Sequence, residues 1–337
     1  MRVVPLTVLA VSAFLLTAVA TWGLRSILSK RAILDYPGSR SSHVGPIPTG
    51  GGLAMYLVLC AAWGVIAIRS PSAPAELGWI MVFSLGLAIV SGADDLWDLP
   101  MMPRLALQAV MATLGTLVLG GHSTVFQGYL PAGLDFAATV FLWVGFINLF
   151  NFTDGIDGNA GTKAAMLGAG IFILAIQGMM PAVFGHLAIT VTAVACGFLV
   201  WNWHPARIFM GDVGSVTLGF LLAWLLLRAA SEGQWAPAII LPLIYLSDSC
   251  LTYLPKIARR ERFWHPHRDH YYQRAVQREG VTHSHVVKVV LVGDVILIAL
   301  ATVAARGPIW PALFGAGVIA VAVITYLSLV HTDGATS

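Results

Sequence analysis

Long apolar runs constrain this chain more than anything else in it. About eleven stretches, each near the ~20 residues a helix needs to cross a bilayer, follow one another at roughly 3–24, 50–68, 77–93, 105–120, 135–150, 162–180, 183–201, 214–230, 236–254, 287–304 and 309–330. Backbone polar groups in lipid must be satisfied within the segment or within a closed barrel, so runs of this length are helices. Only 10% of the 337 residues are charged, against about 25% in soluble domains, and the mean hydropathy is +0.81. Such a chain has too little polar surface to face water on every side. The expected fold is an all-α, polytopic integral membrane protein with ten or eleven transmembrane helices. Residues 1–337 form one domain, with no internal repeat and no separate soluble part.

The loops are uneven where the runs are regular. Of the 19 Lys and Arg, all but Arg2, Arg69, Arg228 and Arg306 fall in odd-numbered connections, Lys163 among them. Cationic loops stay cytoplasmic, which places the odd connections inside. The first run has Arg2 before it and Arg25, Lys30 and Arg31 after it, so it reads as an uncleaved span with its N-terminus outside, not as a signal peptide. The net charge of +3 is dispersed, and no basic patch with interleaved aromatics calls for nucleic acid. Cys60, Cys196 and Cys250 lie inside apolar runs without paired spacing and read as packing residues. The acidic residues crowd onto the same face as the basic ones. Ionisable groups at membrane depth are costly and point to function.

Five cytoplasmic loops carry that polar chemistry. The first, from Asp35 to Gly52, holds Arg40 and His43, natural partners for a diphosphate, and ends in Gly50-Gly51-Gly52, which permits close backbone approach to a ligand. The second pairs Asp94 with Asp95, followed by Asp98 and then Arg104. Adjacent carboxylates give hard oxygen ligands, or a general base beside a metal. In the third, Asn151, Asp154 and Asp157 alternate with Gly155 and Gly158 in a polar turn able to grip a nucleotide or metal. The fourth runs from Asn202 to Ser215 and places Asp212 between two glycines just before a helix. That setting fits an N-cap as well as an anion site. The fifth, about 255–285, is rich in His and Arg, with Arg268 and His270 at its centre and His283 and His285 near its end. Its histidines lack a sustained zinc frame, so phosphate binding and proton transfer fit better.

Taken in order, these loops resemble the polyprenyl-phosphate N-acetylhexosamine-1-phosphate transferases, and the likeness covers nearly the whole chain. The resemblance implies a Mg²⁺-dependent enzyme, with Mn²⁺ as a substitute ion. It passes an N-acetylhexosamine-1-phosphate from a UDP-sugar to undecaprenyl phosphate and releases UMP at the cytoplasmic face of a bacterial inner membrane. By similarity Asp94 and Asp95 match the family's aspartate pair, one of which activates the lipid phosphate, and Asp212 matches its magnesium ligand, with Asp95 beside it. Asn151, Asp154, Asp157 and Asn202 match nucleotide-site positions, while Arg40, His43, Arg104, Arg268 and His270 would meet phosphates. The stretch His270-Tyr271-Tyr272-Gln273-Arg274 departs from the His runs of many members. It favours the branch that initiates O-antigen or capsule synthesis with GlcNAc, FucNAc or QuiNAc donors. The phospho-MurNAc-pentapeptide translocase stays as the alternative, and the resemblance leaves a homodimer open.

Other classes fit less well. A CDP-alcohol phosphotransferase would continue the third motif as DGxxAR, whereas Asp157-Gly158 leads into Asn159-Ala160-Gly161. A transporter would place its charges near the bilayer midplane between broken helices. Outside the five motifs, and apart from Asp135 at the very edge of its run, the carboxylates within apolar runs are Asp248 and Asp294, and Asp248 is placed to support the site from behind.

Overall fold

The computed structural model describes residues 5–36, 45–97, 99–119, 125–260 and 269–330. Arg40, His43, Asp98 and Arg268 lie outside the described residues. Helices dominate the remainder: α1 Leu6–Lys30, α2 Gly52–Arg69, α3 Leu77–Trp97, α4 Met101–Val118, α5 Ala132–Phe152, α6 Asn159–Ile176 and α7 Ala182–Asn202. They continue as α8 Asp212–Ser231, α9 Trp235–Ile240, α10 Leu243–Ala258, α11 Tyr271–Val276, α12 His283–Ala305 and α13 Ile309–Leu329. Among the described residues ten are long and apolar enough to cross a membrane.

The run expected at 236–254 is the one that breaks. Pro242 has no amide hydrogen and its ring crowds the preceding turn, so the run divides into α9 and α10 around Leu241 and Pro242. Two other boundaries move charges. Helix α3 continues to Trp97 and takes Asp94 and Asp95 into its last turns, where a loop was expected. Helix α6 begins at Asn159, so Lys163 lies inside the bundle, only 2% exposed, and not in a connection. Its ammonium lies 3.6 Å from Asp294 Oδ2 on α12.

Helix α8 is the axis of the fold. Ninety-four per cent of its spanning window is buried, against 22% for α1 and 17% for α4, whose apolar faces are left for lipid. Helices α3 and α5 flank α8, with α2, α6 and α9 closing around it. The indole of Trp143 on α5 stacks on Phe220 at 4.9 Å between ring centroids and donates its N–H to the Phe220 carbonyl at 3.0 Å. A buried Trp is thereby packed and satisfied at once.

The glycines ending the first loop serve this packing. A Cβ at Gly52 would run into the Cα of Gly214, so α2 crosses α8 with backbones in contact. The close approach expected for a ligand is, at Gly51 and Gly52, an approach to protein. The Gly51 and Gly52 amides donate to the Phe209 and Met210 carbonyls, each at 2.8 Å, and the Phe209 amide donates to the Pro48 carbonyl at 2.8 Å. A two-residue antiparallel ladder, β1 Leu34–Asp35 with β2 Ile47–Pro48, pairs Leu34 with Pro48 and completes the seam. The first loop is thereby stitched to the connection between α7 and α8.

Candidate active site at one end of the bundle

Antiparallel packing brings the C-terminal ends of α3 and α5 to the N-terminal ends of α4, α6 and α8, and the acidic motifs meet there. Gly211 precedes α8 with φ +72° and ψ 170°, a conformation that essentially only glycine adopts. A Cβ at this position would come within 2.7 Å of Asp95 Oδ2 and 3.0 Å of the Gly50 amide nitrogen. The turn therefore folds directly onto the aspartate pair.

Asp95 caps α8 from a different helix. Its Oδ1 accepts the Asp212 amide at 2.7 Å and its Oδ2 accepts the Val213 amide at 3.0 Å. The first amides of a helix have no partner within it and carry the positive end of its dipole, so a carboxylate is stabilised there. The anion expected at this terminus is thus the protein's own. Asp212 does not cap the helix it opens. Its side chain, 27% exposed, instead meets Arg104 Nη1 at 3.1 Å. Arg104, in the first turn of α4, also pairs with Asp94, whose Oδ1 accepts the Leu99 amide at 2.7 Å. Half-buried Asp154, in the short helical turn Thr153–Gly155 that follows α5, interacts with Asp212, Asp95 and the Gly211 amide.

Four carboxylates thus meet near the start of α8, and two of them, Asp94 and Asp212, share the Arg104 guanidinium. Hard oxygen donors with this excess of negative charge fit Mg²⁺ better than a soft metal. Asp212 is the member best placed to hold a cation, because Asp95 is engaged by two amides and Asp94 is almost fully covered. Arg104 bridges Asp94 and Asp212 and so spans the pair that such an ion would neutralise.

A second cluster lies one turn further on. Asp157 Oδ2 is 2.6 Å from His204 Nδ1 and accepts the Ala206 amide at 3.0 Å. Its Oδ1 is 3.3 Å from His283 Nδ1, and its own amide nitrogen lies 3.2 Å from the same ring nitrogen. Burial alone would raise this carboxyl. Hydrogen bonds from His283, Ala206 and His204 outweigh it and hold the group down at about 2. Nitrogen and oxygen atoms of Asp157, His204 and His283 lie within 4.8 Å of one another. Asn202 works from behind: its Oδ1 accepts the Gly158 amide at 3.1 Å and its Nδ2 donates to the Ile208 carbonyl at 2.9 Å. Asn202 thereby ties the third loop to the fourth. Asn151 lies half-buried in the last turn of α5, beside this junction.

The last loop closes the group. His270 is buried, with Nδ1 3.3 Å from Asp248 Oδ1, and its ring lies among Phe152, Tyr253 and Tyr272. Tyr272 donates its hydroxyl to the Phe152 carbonyl, and burial together with the charges of Asp248 and Asp154 pushes that hydroxyl well above its ordinary range. The fifth motif is therefore pinned to the end of α5, next to the turn that carries Asp154.

Reading the sequence loop by loop found Asp94, Asp95, Arg104, Asp154, Asp157, Asp212 and His270, and the fold brings these to one end of the bundle. It left His204 and His283 without roles, since their partner Asp157 lies 47 and 126 residues away. The one signal was that both are histidines in polar loops on the same face as Asp157.

A ring of helix-end carboxylates within an apolar bundle defines a membrane-embedded site suited to phosphate and divalent-cation chemistry. A family model described as glycosyl transferase family 4 matches residues 77–230, the segment that contributes the four carboxylates, Arg104, Asp157 and His204. The chain is 26% identical over 326 residues to the probable undecaprenyl-phosphate N-acetylglucosaminyl 1-phosphate transferase of Bacillus subtilis, covering 93% of this chain and 88% of that protein. It is 28% identical over 325 residues to the decaprenyl-phosphate N-acetylglucosaminephosphotransferase of Mycobacterium leprae, covering 83% and 78%. With the undecaprenyl-phosphate alpha-N-acetylglucosaminyl 1-phosphate transferase of Escherichia coli it shares 27% identity over 288 residues, covering 81% and 76%. The chain is thus similar, over most of its length, to polyprenyl-phosphate N-acetylglucosamine-1-phosphate transferases, and the family 4 match falls on the segment that builds the site.

Proposed function

We propose that the protein transfers an N-acetylhexosamine-1-phosphate of GlcNAc, FucNAc or QuiNAc type from a UDP-sugar to undecaprenyl phosphate, releasing UMP. The observation that carries this reading is the convergence of Asp94, Asp95, Asp154 and Asp212 at the N-terminus of α8, with Arg104 held between Asp94 and Asp212. In the reaction a phosphate oxygen of the lipid bonds to the β-phosphorus of the donor. The bond from that phosphorus to the bridging oxygen breaks, and UMP departs. Such chemistry consists mainly of positioning and charge neutralisation. A Mg²⁺ ion held by Asp212, with Asp95 beside it, would supply the neutralisation that four carboxylates cannot.

The chain's own groups divide the remaining work. Asp95 fixes the start of α8 and so fixes the direction of Asp212. Arg104, held between Asp94 and Asp212, is the fixed cation that would meet a phosphate at this end of the bundle. Asp94, oriented by Arg104 and the Leu99 amide, would be the carboxylate that serves the lipid phosphate. Asp157, ionised across the neutral range, sits with His204 beside the turn that would receive the nucleotide. His270 supplies a buried imidazole from the fifth loop. The loop charges support a cytoplasmic site, and the histidine motif supports a role in initiating O-antigen or related surface polysaccharide synthesis.

The test uses purified protein in detergent with Mg²⁺, undecaprenyl phosphate and a panel of UDP-N-acetylhexosamines, with UMP release as the readout. One donor should support turnover that chelation abolishes. Absence of release with every donor, or undiminished release in Asp212→Asn, defeats the reading.

A further inference from the structure

Helices α1 and α7 meet in an edge of the bundle that carries positive charge and no negative charge of its own. Residues 1–34 hold no Asp or Glu, and neither do residues 158–211. These segments supply Arg25, Lys30 and Arg31 at the end of α1 and Arg207 just beyond α7. Elsewhere Arg104, Arg228 and Lys256 each meet a carboxylate, and Arg278 donates to the last carbonyls of α13. Among the described residues none of the four cations at this edge has an ion-pair or side-chain hydrogen-bond partner.

Trp201, in the last turn of α7, organises the edge. Its indole N–H donates to the Ala18 carbonyl on α1 at 2.9 Å, which fixes the ring across the helix junction. Gly197, one turn earlier, allows that approach, since a Cβ there would stand 2.5 Å from the Phe14 carbonyl oxygen. The chain beyond α7 folds back, and the Arg207 amide donates to the Trp201 carbonyl at 2.8 Å. The guanidinium of Arg25 then lies 5.8 Å, and that of Arg207 5.9 Å, from the centre of the same ring. An indole face attracts a guanidinium but leaves its charge in place. On the turns before Arg25, α1 leaves Val19 and Trp22 exposed. Uncompensated cations above an apolar helix face, with tryptophan at the level where the two meet, match the headgroup and acyl chains of an acidic lipid.

We propose that this edge of α1 and α7 is a docking surface for an anionic phospholipid, whose phosphodiester is held by Arg25 and Arg207 across Trp201. Lys30 and Arg31, exposed beyond them, add attraction to an acidic membrane surface. The occupant is a lipid because α1 turns its exposed apolar face to the same place. A lipid held here steadies the end of α7 beside Asn202, which ties the third loop to the fourth.

The experiment titrates purified full-length protein in detergent with phosphatidylglycerol or phosphatidylcholine and reads the bound fraction by native mass spectrometry. Phosphatidylglycerol should bind more tightly. R25Q and R207Q should each weaken it about fivefold, the scale of one basic residue at an acidic lipid surface, and the double variant about 25-fold. Phosphatidylcholine binding should not change. Neither guanidinium makes a hydrogen bond, so these variants leave the hydrogen bonds of the fold in place. R69Q removes an exposed, unpaired arginine from the far end of α2 and should bind phosphatidylglycerol like the parent. Equal binding of the two lipids, or as large a loss in R69Q as in R25Q, would overturn the proposal. So would a double variant that keeps phosphatidylglycerol but loses undecaprenyl phosphate, which would assign the edge to the acceptor. A double variant that keeps phosphatidylglycerol but changes oligomeric state would assign it to a second copy of the chain. Binding is the readout throughout, so the result does not depend on turnover of any donor.

Discussion

Asp157 and Asp212 lie at the same end of the bundle but are satisfied in opposite ways. Asp157 has a backbone amide and two imidazoles on its two oxygens, and those contacts hold it ionised. Asp212 has one oxygen on a guanidinium that it shares with Asp94, and its other close neighbours are carboxylates. A fully partnered buried carboxylate makes structure out of its charge. One surrounded by its own kind leaves charge for a ligand to neutralise. The two clusters should therefore separate cleanly under mutation, the Asp212 side through chemistry and the Asp157 side through stability.

The largest effect is expected at Asp212. Asp212→Asn should lower UMP release by about 10²–10³-fold or more, the scale of losing a principal electrostatic contact to a transition state. Its melting temperature should match or exceed that of the parent, since the change relieves repulsion and leaves Arg104 its bond to Asp94. Chelation should mimic it. A variant that melts well below the parent would erase the contrast, because Asp212 would then be holding the fold.

Gly211→Ala comes next. A side chain at φ +72° and ψ 170° costs about 1–3 kcal/mol, and this one would also press on Asp95 Oδ2. Stability and turnover should fall together, because the same turn aims both the cap and the metal ligand. Thermal melting combined with UMP release checks this, and loss of one without the other would show the turn to be less coupled to the site than its geometry implies.

At Asp157 the expected loss is one of stability. The carboxyl is depressed from 3.8 to about 2 in the folded protein. A depressed carboxyl contributes stability that is complete above its unfolded value near 3.9 and disappears as pH falls through about 2, some 2 kcal/mol in all. Asp157→Asn should forfeit that amount at neutral pH, and its stability should lose the steep decline between about pH 4 and pH 2. Denaturation at several pH values measures it. Equal acid sensitivity in the two proteins would mean that His204 and His283 do not hold the charge.

Much of the fold was legible because apolar runs report helices directly. The order of spans and the one-sided distribution of the five motifs follow from length and composition alone. The break at Pro242 could be read only partly, since a proline within an apolar run can kink a helix or end it. Lys163 was misplaced for a physical reason: its position beside a glycine-rich loop looks solvent-facing, and only its meeting with Asp294, 131 positions later in the chain, makes a buried ammonium tolerable. The site shows the same division. Asp94, Asp95 and Asp212 announce themselves as polar residues at the ends of spans. That Asp95 caps α8 while Asp212 does not depends on a contact between α3 and α8 that no local periodicity encodes.

The smallest effect is expected at the join between the two clusters. Tyr272 sends its hydroxyl to the Phe152 carbonyl at the end of α5, which ties the fifth loop to the segment bearing Asp154. Tyr272→Phe keeps the ring and its packing against His270 and removes one hydrogen bond, a loss of about 1 kcal/mol. The freed carbonyl lies in the last turn of α5, where the following loop can relax toward water, so the loss should stay near that size. If the tyrosine only anchors the loop, KM for the donor rises a few-fold while kcat and its pH profile hold. If the hydroxyl instead takes part in proton movement, kcat falls and its alkaline limb shifts. The second result would carry the chemistry beyond the Asp212 cluster and into the histidine loop. Burial works against that outcome: a phenol whose ionisation is pushed well above its ordinary range is a poor acid or base near neutral pH and a good fixed donor.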